Sequence, residues 1–506
     1  MSSSKNNGNV ALIVAFAATA IIYVRRSRRR RRSQSIDRSD TCFTFGDNSG
    51  SETSIPPGLR GRIGSRGMAA LGPSIPYLDG FLKCLLDACD PVANPHGHIA
   101  VCVAENKLVT EHLAERLMQP GTATSAFSDS IVYGYNGFLG LPQAREAVAY
   151  FVARKFLCPD EPHLSPELAL ERVRPEHVAL GSGCAALLNY LFFALAEEGD
   201  AVLIPAPYYA AFESDMRTIA KCVAVPIMQS DPIAGPSISE LNAATNKARR
   251  QGLNPKIILL TNPNNPLGTV YEPGVVKRTI RWARSRGMHT MVDEIYALSV
   301  RDQESSQFES VLRTMDNDLG NDVHFLWALS KDFASSGFRV GVLYTQNEAL
   351  LRTLQNLNIF SGVSHPMQLI VAEILTDNEF VDTFLDRSRE QLVEAYKICT
   401  RKLDEMLVPY IVPEAGMFVY ADFSKMLPSQ TPEGEARFAA LVQDVARVVM
   451  TPGQSMRDPR PGWFRICMAY ISHEVLEIAL ERISRLALKI KAIGWDHIDP
   501  SLIKVL

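Results

Sequence analysis

The chain has 506 residues, 46% of them hydrophobic and 21% charged, which excludes a disordered or fibrous protein and is long enough for two or three domains with a sizeable core. Its nine cysteines (Cys42, Cys84, Cys89, Cys102, Cys158, Cys184, Cys222, Cys399 and Cys467) are scattered with no Cys-x-x-Cys pair, a pattern that argues against a disulfide framework or a cysteine zinc site and for a reducing compartment. The formal charge of −3 hides an asymmetry: residues 1–40 carry nine Lys/Arg against two Asp, which leaves an acidic body of net −10 and no signal for nucleic acid outside that tail.

After a nine-residue start comes Val10–Val24, fifteen residues without a charge, followed at once by Arg25–Arg32, where seven of eight residues are arginine. As a helix at about 1.5 Å per residue the run spans roughly 22 Å, short of a ~30 Å hydrocarbon core unless flanking arginines snorkel or the bilayer thins. A secretory signal carries its positive charge ahead of the apolar run, whereas here only Lys5 precedes it. The positive-inside rule then keeps the C-terminal side in the cytosol. The expectation is an uncleaved membrane anchor at residues 10–24, in the endoplasmic reticulum or the mitochondrial outer membrane, with the body facing the cytosol. A targeting segment removed later, or a misassigned start, is the alternative. Residues 25–60, basic at first, then rich in Ser, Gly and Asp and broken by Pro56-Pro57, read as a flexible tether.

From Gly61 apolar runs alternate with helical patterns. Tyr77–Cys89 and Ala147–Phe156 have apolar residues at helical spacing, and Val178–Leu180, Ala201–Ile204, Ile257–Leu260, Thr290–Val292 and Phe325–Trp327 read as short buried strands. Strands alternating with helices predict an α/β fold with a parallel sheet covered on both faces. Ligands of such sheets sit beyond the carboxyl ends of the strands, so the residues that follow each strand matter most.

Five such junctions carry chemistry. Gly181-Ser-Gly-Cys-Ala185 offers backbone amides and a helix N-terminus to an anion, although any strand-to-helix turn uses glycines. Pro205-Ala-Pro-Tyr-Tyr209 can lay an aromatic face over a planar ring, or be a rigid turn with core tyrosines. Thr261-Asn-Pro-Asn-Asn-Pro-Leu-Gly268 presents amide side chains from a proline-fixed turn. Asp293 ends an apolar run, with Tyr296 three residues on, and a carboxylate there calls for a partner such as a protonated ring nitrogen. Lys331 follows the fifth run, eight residues before Arg339. A nucleophilic lysine must be neutral, which takes burial or nearby positive charge such as Arg339 would supply. An aldehyde cofactor held by its phosphate asks for such a lysine and such an arginine together. Taken singly, the segment reads equally well as a surface loop.

The Lys331 segment, Asn262–Gly268, Asp293-Glu-Ile-Tyr296, Pro207-Tyr-Tyr209 and Gly462-Trp-Phe-Arg465 resemble fold type I pyridoxal-phosphate enzymes of the class I/II aminotransferase superfamily. Asn94-Pro-His-Gly-His98, Val103-Ala-Glu-Asn-Lys-Leu108 and Gly140-Leu-Pro142 are similar to its 1-aminocyclopropane-1-carboxylate synthase-like branch. The likeness covers roughly residues 75–475. It implies a mostly parallel mixed sheet in a large domain at residues 121–345, a smaller α+β domain from residues 61–120 and 346–506, and a homodimer with shared active sites acting on an amino acid. It also implies pyridoxal 5'-phosphate as cofactor. By the same resemblance Lys331 bonds the cofactor aldehyde and then moves the substrate α-proton, Asp293 keeps the ring nitrogen protonated, Asn265 and Tyr296 bond the ring's phenolic oxygen, and Tyr209 stacks on the ring. Arg339 clamps the phosphate with the backbone amides of Cys184 and Ala185, Arg465 binds the substrate carboxylate, and Glu105 faces the substrate side chain, a sulfonium in the synthases.

The chain departs from the synthases where Ala185, Ala328 and Phe138 replace hydroxyl residues that reach the cofactor phosphate or its surroundings, the last from the neighbouring subunit. Ser330, Ser335, Ser336 and Tyr135 are the available substitutes. These losses favour amino transfer to a 2-oxo acid over cyclopropane formation. A third reading is a catalytically weakened, membrane-tethered binding protein.

Overall fold

The computed structural model describes residues 77–495, together with Gly64, Arg66, Gly67, Ala70 and Ile75. The anchor expected at residues 10–24 and the tether at residues 25–60 lie outside the described residues. Among the described residues no helix is long and apolar enough to cross a membrane.

A short strand, β1 (Ile99–Ala100), precedes seven strands that share one sheet: β2 (Val178–Gly181), β3 (Ala201–Ala206), β4 (Val223–Met228), β5 (Pro255–Thr261), β6 (His289–Asp293), β7 (Val323–Ala328) and β8 (Gly341–Tyr344). Their order across the sheet is β2-β8-β7-β6-β5-β3-β4, and all neighbours run parallel except β8, which is antiparallel to both β7 and β2. The sheet is therefore α/β, mixed and mostly parallel.

The apolar runs seen in the sequence are continuous because both faces of each central strand are covered. Ala201 and Leu203 of β3, Ile258 and Leu260 of β5, and Phe325 and Trp327 of β7 pack into one core; the alternate residues Val202, Ile204, Ile257, Leu259 and Leu326 pack into another. Period-two geometry sends successive side chains to opposite layers, so each layer claims every second residue. The helix Cys184–Leu195 supplies Leu187, Leu188, Leu191 and Phe192 to the second layer.

One feature differs from the expectations. The edge strand β4 is not among the strands read from the sequence: Val223–Met228 is as apolar as the others, yet Val223, Ala224 and Pro226 are only half-buried and Met228 is exposed. Strand β8 begins at Gly341 and not at Arg339, because Arg339 has a left-handed backbone with φ of 56°.

A second sheet follows, with β9 (Tyr410–Ile411), β10 (Phe418–Asp422), β12 (Thr451–Pro452) and β13 (Trp463–Cys467) in the antiparallel order β12-β13-β10-β9. Between them in the chain, β11 (Val448–Val449) pairs in parallel with β1. Val419, Ala421, Phe464 and Ile466 of this sheet bury themselves against the helices Asn378–Glu405 and His473–Ile493.

Candidate active site

Lys331 lies in the four-residue helix Leu329–Asp332 that directly follows β7. It is half-buried, and its Nζ donates to the Ala104 carbonyl at 2.6 Å. Burial lowers its pKa most; Glu105 and Cys467 oppose the shift, and Arg465 and Arg339 add to it. Desolvation, with Arg339 only a minor contributor, is thus what favours the neutral amine.

Asp293 closes β6 and is 4% exposed. Its carboxylate accepts one backbone hydrogen bond, from Ile295 at 3.2 Å. Burial pushes its pKa up to about 7, against the Ile295 amide and the charge of Lys331. A buried carboxyl poised in this way favours a cationic partner. Beside it, Asn265 Nδ2 donates to the Tyr296 hydroxyl at 3.3 Å and Asn265 Oδ1 accepts from Arg465 Nη1 at 2.7 Å. Tyr296 is held edge-on against Phe418, with ring centroids 5.3 Å apart, and Tyr209 stands edge-on against Phe212 at the same separation.

At the other end of the site the exposed Arg339 directs Nη2 to the Ser182 carbonyl at 3.2 Å and Nη1 to the Ser336 carbonyl at 3.0 Å. Gly183 has φ of 83°, and a Cβ placed on it would stand 2.5 Å from Arg339 Nη2. Only glycine permits that approach. Cys184 and Ala185 open the helix Cys184–Leu195, so the amides of its first turn lie at the edge where Arg339 stands. The Cys184 thiol itself turns to the Trp327 carbonyl at 3.3 Å.

Two of the possible substitute hydroxyls are committed elsewhere: Ser335 donates to the Leu329 carbonyl and Ser336 to the Ser330 carbonyl, each at 3.0 Å. Tyr135 is 94% exposed. Ser330 is buried and makes no side-chain hydrogen bond among the described residues.

Arg465, on β13, is buried; its Nη2 donates to the Cys102 carbonyl at 2.8 Å and Thr451 Oγ1 at 3.3 Å, while Nε has no partner among the described residues. Glu105 is half-buried, and its charge acts directly on Lys331.

The sequence reading passed over two groups. Tyr77, at the start of the helix Leu78–Leu86, has its phenol pKa raised by burial and pulled back by Arg465 beside it. Half-buried Asp215 has its carboxyl pushed up to about 7 by burial and by Asp293. Neither position shows a local signal, because tertiary packing alone brings them here.

The donor set suits pyridoxal phosphate. Arg339 and the glycine-formed cradle match a phosphate, the under-bonded Asp293 carboxyl matches a ring nitrogen, and the Asn265–Tyr296 pair matches a ring oxygen, with a neutral-biased lysine within the same group. The fold and this set of strand-end residues define the fold type I class of pyridoxal-phosphate enzymes.

Residues 100–483 match the model for aminotransferase class I and II. A 1-aminocyclopropane-1-carboxylate synthase of Glycine max is 30% identical over 433 residues, covering 83% of this chain and 87% of that protein. One from Nicotiana tabacum is 30% identical over 426 residues, covering 82% and 84%. Among solved structures, an aspartate aminotransferase double mutant of Thermus thermophilus superposes with a TM-score of 0.64 at 24% identity, over 84% of this chain and 100% of that one. An aromatic aminotransferase of Pyrococcus horikoshii gives 0.63 at 19%, over 78% and 96%. The chain belongs to the class I and II aminotransferase family, on the branch similar to 1-aminocyclopropane-1-carboxylate synthases, and is a pyridoxal-phosphate-dependent enzyme.

Proposed function

We propose that the protein moves the amino group of a hydrophobic or aromatic α-amino acid to a 2-oxo acid. The observation that carries this reading is that Lys331, Asp293 and Asn265 stand at or just beyond the ends of β7, β6 and β5, with Arg465 of β13 hydrogen-bonded to Asn265 at 2.7 Å.

When bound, pyridoxal phosphate supplies an aldehyde that captures an amino group and a ring that takes up the electron pair left by a departing proton. Arg339 and the amides of Cys184 and Ala185 would hold its phosphate, Asp293 would keep the proton on its ring nitrogen, Asn265 and Tyr296 would bond its ring oxygen, and Tyr209 would lie against the ring. Arg465 binds the substrate carboxylate through its planar fork, which sets the α-carbon in front of the amine. Burial favours the neutral form of Lys331, so its amine could take the proton from the substrate α-carbon and hold it at Nζ, the acid–base role that amino transfer asks of this position. Ala185, Ala328 and Phe138 bring no hydroxyl to this arrangement, and Ser335 and Ser336 donate elsewhere. Amino transfer tolerates those losses better than cyclopropane formation, which also needs the side chain bent back over the ring.

A second reading, release of methylthioadenosine from S-adenosylmethionine with formation of the cyclopropane amino acid, is favoured by Glu105, whose carboxylate acts on Lys331 and suits a sulfonium. The experiment is a screen of purified protein with amino acids and 2-oxo acids, run beside S-adenosylmethionine. Methylthioadenosine release faster than any amino transfer would reverse the ranking.

The same reading places the catalytic body, with its large domain at 121–345 and small domain at 61–120 and 346–506, in a homodimer with shared sites on the cytosolic face of the endoplasmic reticulum or the mitochondrial outer membrane. The apolar run 10–24 and the arginines after it support the anchor. Full-length protein should then sediment with membranes and resist carbonate extraction, while a chain beginning at Gly61 stays soluble and active. Protection of the body from protease in intact organelles would overturn the cytosolic orientation.

A further inference from the structure

Lys331 rides on a helix of only four residues, Leu329–Asp332, too short to hold its direction by its own backbone hydrogen bonds. The residue that closes it, Asp332, is 3% exposed. Asp332 Oδ2 accepts from Trp327 Nε1 at 2.8 Å and from the Leu298 backbone amide at 3.4 Å. Trp327 is immobilised among Phe151, Phe156 and Phe333, with ring centroids at 5.0, 5.7 and 6.1 Å. Leu298 lies in the turn Ala297–Ser299, which follows directly on Tyr296. That turn is tied down in its own right: the Ser299 hydroxyl donates to the Tyr296 carbonyl at 2.6 Å and accepts from the Gly416 amide at 2.8 Å.

One carboxylate oxygen therefore joins the lysine-bearing turn both to a fixed aromatic cluster and to the turn that presents Tyr296. Asp332 Oδ1 has no partner among the described residues, so every directed bond of this carboxylate runs through the two donors at Oδ2. Burying a carboxyl is costly, and an apolar residue would fill the space at lower cost. The arrangement makes sense as a device for geometry.

We propose that Asp332 is a positioning residue for Lys331: by accepting from Trp327 and Leu298 it holds the lysine-bearing turn against the turn that presents Tyr296, and so helps set where the amine stands relative to the Tyr296 hydroxyl and, through that hydroxyl, to Asn265. The proposal rests on Lys331 being the group that moves the α-proton. Substrate binding is assigned to Arg465 on the other sheet, so a misaligned lysine slows the chemical step and leaves binding intact. A misplacement of about 1 Å costs up to ~10²-fold in rate.

The test compares Asp332→Ala, Asp332→Asn and Trp327→Phe as cofactor-loaded enzymes, each measured for cofactor content, kcat and the KM of the amino donor. Alanine removes the acceptor, and kcat is expected to fall at least ~10-fold while KM stays within ~2-fold and cofactor content is unchanged. Asparagine keeps an acceptor oxygen for both donors and is expected to hold kcat within ~3-fold of the parent. Trp327→Phe removes one donor while keeping an aromatic ring, and should fall between the two. Lys331→Ala is run alongside: turnover surviving in that variant overturns the role of the lysine and this proposal with it. An inactive Lys331→Ala beside an Asp332→Ala of unchanged kcat, or one whose KM rises in step, overturns the positioning role alone. Where the alanine variant does not fold, an inactive Asp332→Asn or a Trp327→Phe of full kcat overturns it.

Discussion

Arg465 Nη1 donates to Asn265 Oδ1 across 2.7 Å, which joins β13 of the four-stranded sheet to the turn after β5 in the seven-stranded sheet. The group assigned to the substrate carboxylate and a group assigned to the cofactor ring are thus one unit. Nη2 donates to the Cys102 carbonyl and Thr451, bonds that orient the guanidinium plane and that a substrate carboxylate would exchange for its own.

Arg465→Lys should keep the charge and lose the fork. At about 1.5–3 kcal/mol for a hydrogen bond to a charged group, the KM of the amino acid should rise roughly 10- to 150-fold. Steady-state kinetics on the cofactor-saturated variant checks this; an unchanged KM would remove Arg465 from substrate binding.

Gly183→Ala should weaken cofactor retention. The added methyl would stand 2.5 Å from Arg339 Nη2 on a backbone of φ 83°, so the arginine has to retreat from the helix N-terminus. Expected is a cofactor Kd at least ~10-fold higher, from the loss of one charge-assisted contact. Equilibrium dialysis reads it, with the circular dichroism spectrum confirming an intact fold.

Asp293 links cofactor binding to pH. Its carboxyl is raised from 3.8 to about 7, chiefly by burial. A raised pKa means that its contribution to the stability of the cofactor-free protein is complete below the unfolded value and is lost as pH climbs through about 7. Asp293→Asn cannot ionise. The Tm of the cofactor-free parent should therefore fall relative to that of the variant between about pH 4 and pH 8. A bound ring cation favours the ionised form, so adding cofactor should flatten the parent's slope. A Tm difference constant with pH would contradict the assignment.

Glu105→Gln separates the two reactions. If Glu105 serves a cationic side chain, the change should lower any methylthioadenosine release by about 10²-fold, the usual scale for removing one positioned group at developing charge. Amino transfer from an apolar donor should respond far less. Equal loss of both activities would mean that Glu105 acts through Lys331 instead.

The central strands were legible because both of their faces are covered, so burial writes itself into the chain as apolar runs; β4 at the edge is equally apolar, and Pro226 within it hides the strand. The strand-end positions of Lys331 and Asp293 were readable from those runs, since each follows or closes one. Tyr77 and Asp215 were not, because they come to Arg465 and Asp293 from helices whose local sequence carries no mark of that destination. The occupation of Ser335 and Ser336 was also hidden, since a hydroxyl's partner depends on the path of the backbone around it. Lys331 lay in between: its need for neutrality followed from chemistry, while the dominance of burial over Arg339 needed the packed structure.

Because β8 runs against β7, with Ala328 opposite Gly341, residues 329–340 close on themselves like a hairpin. Lys331 and Arg339 stand on the two limbs of that closed loop, and bringing them together needs no crossover through the rest of the chain. Short loops close cheaply and quickly. Asn265 and Arg465, by contrast, are separated by 200 residues and meet only once both sheets exist. The Lys331–Arg339 pairing is therefore topologically local, whereas the Ser182–Gly183 cradle, Asn265 and Asp293 require the assembled seven-stranded sheet and Arg465 requires the four-stranded one as well, so cofactor retention reports the first sheet and turnover reports both.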